Sequence, residues 1–259
     1  LLWNDTRSAG EAEALVERFG ADWLLANTGS VPVASFTSTK VLWVAENEPQ
    51  NAARIAAICL PHDYLSWRLA GFGPAEESQF GPDLNALATD ASDASGTGYF
   101  NPRTGEYVTE ILAHILGRVP KLPKVVEPGE VAYRADRTRN LFAGLIAGGA
   151  GDNAAAGLGA GAVDGDVVVS LGTSGTVFSV SATPTADQSG TIAGFASASG
   201  SYLPLVCTLN AARVLDAFAK LLEVTHDDLG KLALQSQPGS EGIVLVPYFE
   251  GERTPNLPE

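Results

Sequence analysis

Methionine is absent from the 259 residues, and cysteine and histidine are rare. The two cysteines, Cys59 and Cys207, are far apart and have no histidine at a metal-ligand spacing. We therefore expect free buried thiols in a reducing cytoplasm rather than a disulfide or a zinc cluster. The three histidines, His62, His114 and His226, share no ligand spacing with one another, so the sequence assigns no metal site.

Positive charge is scarce as well, with 16 Lys and Arg against 30 Asp and Glu and a formal net charge of −14. Proteins that bind nucleic acid or anionic membranes need basic patches, so we expect neither partner. No apolar run approaches the roughly 18 residues of a membrane-spanning helix. The first residues also lack the pattern of a signal peptide.

The chain has no Met at position 1 and opens with Leu1–Asp5, which we interpret as the end of a strand. We therefore expect it to be a piece of something longer. Apolar residues make up 45% of the sequence and charged residues 18%, which is typical of a globular protein. The length is sufficient for one large domain or two smaller ones.

The most informative stretch lies between residues 141 and 161. An apolar run, Leu141–Ile146, leads into a glycine cluster at 148–151, which is followed by Asp152, Asn153 and a run of Ala, Gly and Leu. This order predicts a strand, a tight turn that lets a ligand approach the backbone, and a helix that begins at Asp152. The glycines at 157, 159 and 161 cost about 1 kcal/mol each in a helix interior, which predicts very close packing there.

Two interpretations of Asp152 remain open on the residues alone. It is either an ordinary N-cap of a buried helix or a carboxylate presented to a substrate at the mouth of a cleft. Residues Gly149–Ala154 also match the dinucleotide fingerprint G-x-G-x-x-A, which requires an acidic residue at the end of the next strand. The next predicted strand, Asp166–Leu171, carries its acid at the beginning, so we treat this match as accidental.

Two loops could bind a ligand. The hairpin predicted from Asp166–Leu171 and Thr176–Val180 has the tip Gly172–Gly175, which is either a glycine-supported turn or a concavity for phosphate. The segment Thr89–Thr97 is either a capped turn, which its spacing favours, or a ligand-facing loop. The remaining periodicity predicts helices over Ser8–Phe19, Thr37–Glu46, Asn51–Ile58, Pro61–Gly71, Val108–Leu116 and Asn210–Leu222, and a strand over Gly242–Phe249.

Several motifs together resemble the FGGY carbohydrate kinases. The segment Ser35–Asn47 resembles the first signature of that family, and the Asp152-Asn153 pair is similar to its xylulose kinases in particular. Further pieces resemble the family in the same order along nearly the whole chain: Trp3–Arg7, Leu60–Leu65, Asp90–Thr97, Gly149–Ala155, Gly172–Gly175 and Gly251–Pro255.

The resemblance implies an α/β fold of two actin-like, ribonuclease-H-like domains, both incomplete, with sugar and ATP in the cleft between them. We expect residues 1–162 to belong to the N-terminal, sugar-binding domain and residues 163–259 to begin the C-terminal, nucleotide-binding domain. The first phosphate loop of the family is expected upstream of Leu1, and the second signature beyond Glu259. On this interpretation the chain is a central fragment.

The resemblance also implies an activity, namely the ATP-dependent phosphorylation of a ketopentose such as D-xylulose to D-xylulose 5-phosphate. Asp152 would be the general base and Asn153 would bind a sugar hydroxyl. Asp5 would contact the sugar or brace Arg7. The implied ligands of the nucleotide side are ATP, at Gly172, Thr173, Ser174, Gly175 and Asn210, and Mg²⁺, held mainly by ATP and water. Partners are then small molecules, with a homodimer as one assembly that the sequence allows.

Two alternatives to this activity are kept. A catalytically inactive, actin-like protein that binds a sugar or regulates a partner would retain the same fold. A kinase for another sugar or polyol of the family would retain the same catalytic residues. The residues upstream of Leu1 separate the first alternative from a kinase, because a phosphate loop there indicates catalysis.

Overall fold

The computed structural model describes residues 1–135, 143–249 and 251–257. Contacts divide the chain into two compact units. The first unit contains Leu1–Val167 and Ser179–Leu205, and the second contains Val168–Phe178 and Val206–Glu259. Within the described residues, no helix is long and apolar enough to cross a membrane.

The first unit contains most of the helices, and its main hydrophobic core lies among them. Their bounds are α1 (Ala9–Phe19), α2 (Ala21–Thr28), α3 (Thr37–Asn47), α4 (Pro49–Ala52), α5 (Pro61–Leu69), α6 (Ala91–Ser95), α7 (Thr109–Leu116) and α8 (Asp152–Gly159). The buried residues of the core come from α1, α2, α3, α7 and the segment before α7: Leu15, Leu24, Val41, Leu42, Tyr99, Ile111 and Leu112. The apolar spacing of α1, α3 and α7 predicts this arrangement, and these three helices are confirmed within two residues at each end.

Short strands connect these helices. They are β1 (Ala88–Asp90), β2 (Phe100–Asn101), β3 (Glu106–Tyr107), β4 (Lys124–Val126), β5 (Val131–Ala135) and β6 (Gly144–Ala147). Strand β1 pairs in parallel with β4, β2 pairs antiparallel with β3, and β5 pairs antiparallel with β6. Strand β1 precedes α6, and strand β6 precedes α8. The end of β1 is defined by its pairing with β4, which aligns Asp90 with Val126, and the end of β6 is defined by its pairing with β5.

The remaining strands are β7 (Val167–Leu171), β8 (Gly175–Ser179), β9 (Ala193–Ala196) and β10 (Tyr202–Thr208), in the sheet order β7-β8-β10-β9. The boundary between the units passes within β7, β8 and β10. The second unit holds the predicted hairpin tip and the helices α9 (Ala212–Leu221) and α10 (His226–Gln235).

Four predicted elements differ from the structure. Leu1–Asp5 is not a strand; Leu2 and Trp3 are exposed, and Asp5 instead caps the 3₁₀ turn Thr6–Ser8. The helix predicted over Asn51–Ile58 ends at Ala52; a turn follows over Ala53 and Arg54, and beyond it the N–H of Ile58 donates to the carbonyl of Lys121 (3.0 Å).

The segment Gly242–Phe249 is also not a strand, although its Val and Ile residues favour one. A strand requires a hydrogen-bonded neighbour, and the described residues supply none for it. The helix predicted over Asn210–Leu222 begins two residues later, at Ala212. Of the strand predicted over Leu141–Ile146, Leu141 and Phe142 lie outside the described residues, and the described strand is β6.

The close packing predicted for the glycines of α8 is wrong at two of the three positions. A Cβ added at Gly159 or Gly161 would meet no atom within 4 Å. Gly161 is instead the residue after the helix at which φ is +70°, where glycine is favoured. Gly157, in contrast, is buried.

Candidate functional site

The turn between β6 and α8 presents the Asp-Asn pair. Gly149 has a φ of +98°, a backbone conformation that favours glycine. A Cβ at Gly148 would lie 2.2 Å from Cγ2 of Val126, and one at Gly149 would lie 2.6 Å from Cδ2 of His62. In this structure the two glycines are therefore required by neighbouring protein atoms, and the approach of a ligand to this turn stays a prediction.

Asp152 is the first residue of α8 and is exposed, while Gly151 occupies the N-cap position without a side-chain hydrogen bond. The interpretation of Asp152 as an ordinary N-cap is therefore wrong. Its Oδ1 accepts hydrogen bonds from the backbone N–H (2.8 Å) and the Nδ2 (3.1 Å) of Asn153. These contacts orient the carboxylate locally and leave it accessible, as a carboxylate that receives a substrate proton must be.

A small hollow of about 70 Å³ adjoins Asp152 and Asn153 within the first unit. It is lined by polar side chains of α6 and α8 on one side and by apolar side chains of β9 and β10 on the other. The lining residues are Ser92, Asp93, Gly96, Gly151, Asp152, Asn153, Ala154, Phe195, Ala196, Leu203 and Leu205. Polar groups of α6 and α8 thus converge on a hollow that has an apolar wall opposite them.

Behind the turn, one imidazole lies among three carboxylates. Nε2 of His62 lies 3.0 Å from the carbonyl oxygen of Gly148 and 3.3 Å from a carboxylate oxygen of both Asp63 and Asp90. Nδ1 of His62 contacts the carboxylate of Asp93. Both ring nitrogens thus face acceptors, which is the arrangement that a protonated imidazole requires.

The electrostatics of this cluster agree with a charged ring. Burial by itself lowers the pKa of His62, but the hydrogen bonds with Asp90 and Asp93 and the charges of Asp63 and Asp93 outweigh it and raise that pKa to about 11. Burial raises the pKa of Asp63 to about 6. Burial also opposes ionisation of Asp90, but hydrogen bonds from His62, Ser92 and the backbone hold its pKa below the usual value.

Asp90 connects the cluster to the turn before Asp152. Its Oδ1 accepts hydrogen bonds from the backbone N–H groups of Ser92 (2.7 Å) and Asp93 (3.2 Å) and caps α6. The same oxygen accepts the hydroxyl of Ser92, whose Oγ in turn accepts the N–H of Gly151 at 2.9 Å. The interpretation of Thr89–Thr97 as a capped turn is therefore confirmed by Asp90, whereas its role as a ligand-facing loop, with Asp93 lining the hollow, stays a prediction.

His62, Asp90 and Asp93 each offer a ligand atom for a cation, and these atoms lie within 4.8 Å of one another. However, carboxylates face both ring nitrogens, Asp93 at Nδ1 and Asp63 and Asp90 at Nε2, so the ring itself lies among anions. We therefore assign the cluster to a charged histidine rather than to a metal ion.

In the second unit, the hairpin tip lies against the start of α9. The carbonyl of Gly172 accepts the N–H of Ala212 (2.9 Å), and the carbonyl of Thr173 accepts that of Ala211 (3.2 Å). Within the described part of the chain, no acceptor is seen for the backbone N–H groups of Thr173 and Ser174. Neighbouring free N–H groups of this kind can bind an anion.

Asn210 is buried beside a carboxylate that the sequence did not single out. Its Nδ2 donates to the carbonyl of Gly251 (2.8 Å) and to Oε2 of Glu252 (3.1 Å). Glu252 is only 3% exposed and also accepts the backbone N–H groups of Leu209, Asn210 and Arg253. The position of Asn210 thus has a structural explanation within the second unit.

Asp5, the less certain sugar contact, braces Arg7. Its carboxylate accepts the backbone N–H (3.1 Å) and the Nε (3.0 Å) of Arg7, and these contacts are the main reason that its pKa is lowered. Its carbonyl oxygen accepts the ammonium group of the buried Lys40. Asp5 does not line the hollow beside Asp152.

The structure therefore groups the candidate residues by unit. Asp152 and Asn153 share one hollow in the first unit, whereas the hairpin tip and Asn210 belong to the second. Sequence reasoning missed the roles of His62, Asp63, Asp90 and Asp93. The available signal was the acidic and hydroxyl-rich composition of residues 89–97, which gave no indication of their nearness to His62.

Comparison with known proteins gives a consistent result. The chain is 46% identical over 262 aligned residues to a xylulose kinase of Streptomyces rubiginosus and 45% identical to that of Streptomyces coelicolor, and both alignments cover 100% of the chain and 50% of the relative. A crystal structure of xylulose kinase from Bifidobacterium adolescentis is similar to the chain, with a TM-score of 0.88 and 47% identity. The match covers 100% of this chain and 57% of the chain in that crystal structure. The chain thus spans about half the length of the curated relatives that it matches.

These likenesses confirm the predicted actin-like α/β fold class. Independently, residues 1–159 match the N-terminal domain of the FGGY family of carbohydrate kinases. This match covers more than half of the chain and includes the β6–α8 turn, Asp152 and the His62 cluster. The chain therefore belongs to the FGGY family of carbohydrate kinases.

Proposed function

We propose that the native protein carrying this chain is an ATP-dependent kinase of a ketopentose, which converts D-xylulose to D-xylulose 5-phosphate. The exposed carboxylate of Asp152 at the start of α8, beside a hollow of mixed polarity, is the observation that carries the proposal. The names of relatives that are 46% and 45% identical over the chain support xylulose as the sugar.

Asp152 is the general base of the proposed reaction. The carboxylate accepts the proton of the attacking sugar hydroxyl, and the hydroxyl oxygen forms a bond to the γ-phosphorus of ATP. The bond from that phosphorus to the β,γ-bridging oxygen breaks, and ADP leaves with the electron pair. Since the transition state of phosphoryl transfer is loose, positioning of the hydroxyl and stabilisation of charge supply most of the catalysis.

The remaining sugar contacts are assigned to the first unit. Asn153, whose Nδ2 lies next to the carboxylate of Asp152, donates to a second hydroxyl of the sugar. Asp5 acts indirectly by holding Arg7, with which it forms an ion pair of 2.9 Å. We propose residues 1–162 as the sugar-binding domain and residues 163–259 as the beginning of the nucleotide-binding domain.

The nucleotide side is assigned to the second unit. The free N–H groups of Thr173 and Ser174, between Gly172 and Gly175, are suited to bind phosphate oxygens of ATP. Asn210, buried beneath the start of α9, supports this tip from within the protein. Mg²⁺, bound mainly by ATP and water, would neutralise part of the phosphate charge.

The experiment replaces Asp152 by Asn in the native protein and compares it with Asp164→Asn. Asp164 is an exposed carboxylate of the same unit that accepts one backbone N–H, from Ala182 (2.7 Å). A general base contributes about 10²–10⁴-fold to the rate, so kcat with D-xylulose should fall by at least about 100-fold for Asp152→Asn and stay unchanged for the control.

Steady-state rates of ADP release, measured with D-xylulose, other ketoses and glycerol, decide the proposal. A variant Asp152→Asn that keeps more than about a tenth of the wild-type rate contradicts the role of the base. A wild-type protein that binds sugar but releases no ADP with any acceptor indicates the catalytically inactive alternative. A preference for another sugar or polyol corrects the substrate and keeps the mechanism.

A further inference from the structure

We propose that His62 is a positioning residue, whose charged imidazole holds the turn at residues 148–151 and thereby the carboxylate of Asp152. This inference rests on the proposed function of Asp152 as the general base. It concerns residues that the family resemblance left without a role, and it depends on the contacts of α5, β1 and α6 with the turn.

The turn is held at its first residue by His62 directly. Nε2 of His62 lies 3.0 Å from the carbonyl oxygen of Gly148. The ring also lies beneath Gly149, where an added Cβ would approach Nε2 to 2.8 Å. The imidazole thus forms a hydrogen bond with the turn and also packs against the backbone of the turn.

The turn is held at its last residue through the acids that surround the same ring. Asp90 pairs with Nε2 of His62 at 3.3 Å and accepts the hydroxyl of Ser92. Ser92 Oγ in turn accepts the N–H of Gly151 at 2.9 Å, one residue before Asp152. A single cation therefore orients the contacts at both ends of the turn.

Positive charge is essential at position 62 because the surroundings are anionic. Asp63 is 1% exposed and Asp90 is 8% exposed, and within the described residues neither forms an ion pair with an Arg or Lys. An uncharged side chain would leave these two carboxylates and Asp93 to repel one another in a poorly solvated space. They would then separate or take up protons, and Ser92 and the turn would move with them.

The effect on the reaction follows from the distance over which a general base acts. A base must lie within hydrogen-bond reach of the proton that it accepts. A misplacement of about 1 Å costs about 10²-fold in rate. Because Asp152 directly follows Gly151, a shift of the turn changes kcat for the sugar, whereas binding of ATP, which we assign to the second unit, is not affected.

The experiment compares variants of the native protein. His62→Gln removes the charge, His62→Lys keeps a cation at the position, and Ser92→Ala removes only the contact with Gly151. The matched control is His226→Gln, since His226 also pairs with a carboxylate, that of Asp216 at 3.0 Å, but is exposed. For each variant kcat, the KM of sugar and of ATP, and the melting temperature are measured, with folding checked by circular dichroism.

The expected result is a fall of kcat by about 30- to 100-fold for His62→Gln and about 10-fold for Ser92→Ala, at a KM of ATP within about threefold of wild type. In the variant His62→Lys, the decrease in log kcat should be smaller than in His62→Gln by at least about a third. The control should behave as wild type. Rescue by Lys separates a charged positioning group from a side chain that only fills space.

Three results overturn the inference. The first is a folded His62→Gln protein with wild-type kcat, and the second, if His62→Gln does not fold, is a Ser92→Ala protein with wild-type kcat. A rise in melting temperature of the wild type with Zn²⁺, abolished in His62→Gln, also overturns it in favour of a metal site. Failure of the proposed function is separate, because it shows as wild-type activity in Asp152→Asn.

Discussion

Three carboxylates from different elements surround the imidazole of His62, namely Asp63 of α5, Asp90 of β1 and Asp93 of α6. The carbonyl of Gly148 completes the set of groups that face the ring. Although burial favours the neutral ring, these groups raise the pKa of His62 to about 11. In the unfolded chain it would be near 6.5. Folding therefore takes up a proton at pH values between the two.

This uptake predicts a specific dependence of stability on pH. The contribution of His62 is complete below about pH 6.5 and is lost as the pH rises towards 11, with a slope of at most about 1.4 kcal/mol per pH unit. The difference in unfolding free energy between wild type and His62→Gln should therefore shrink between about pH 7 and about pH 10. Urea denaturation at both pH values, with His226→Gln as the control, measures it. A constant difference would contradict a charged His62 in the folded state.

At the same scale, the candidate base was easier to predict than its support. Asp152 follows a glycine turn directly in the sequence, so its place at a helix start is visible from local residues. His62 reaches the turn across 86 positions, and Gly151 reaches Ser92 across 59. No periodicity or spacing rule connects residues that far apart, so the sequence could not indicate the cluster.

The start of α9 in the second unit depends on one buried carboxylate. Glu252 accepts the N–H groups of Leu209, Asn210 and Arg253 and the amide of Asn210, and α9 in turn donates its first N–H groups to the hairpin tip. Glu252 thus connects the segment around residue 252 with the tip that we assign to phosphate.

We expect Glu252→Gln to weaken both the second unit and nucleotide binding. A Gln keeps one acceptor oxygen but turns an NH₂ group towards backbone donors, which costs about 1–3 kcal/mol for each buried group left unsatisfied. Calorimetric titration should show weaker binding of ATP with unchanged binding of sugar. The exposed Glu241→Gln is the matched control. Equal ATP affinity in both variants would mean that the tip does not depend on Glu252.

Elements with a strong local pattern were predicted well, and those decided by distant partners were not. The apolar faces of α1, α3 and α7 predict helices that the structure contains. For Asn51–Ile58 the helical spacing was overridden by the backbone contact of Ile58 with Lys121, and for Gly242–Phe249 no described strand provides a neighbour. Propensity is a weak prior when tertiary contacts compete with it.

For the molecule as a whole, the order of motifs along the chain was more informative than any single motif. The six pieces and the signature at Ser35–Asn47 indicated the family, which the match over residues 1–159 then showed. The domain limits at 162 and 163 remain a prediction, as do the roles of the site residues. The two compact units interleave along the chain, since Ser179–Leu205 returns to the first unit. Composition and periodicity contain no signal for such a return.

The wide sequence separation of the contacts around Gly148 and Gly151 also affects the order of events during folding. Helices form from neighbouring residues within microseconds, whereas contacts across 59 and 86 positions wait for long loops to close. Asp152 should therefore reach its working position among the last events of folding, so that a newly made chain passes through a helical but inactive stage. Refolding from urea tests this by comparing the return of far-ultraviolet circular dichroism with the return of activity. Simultaneous recovery of the two signals would show that the turn is set early.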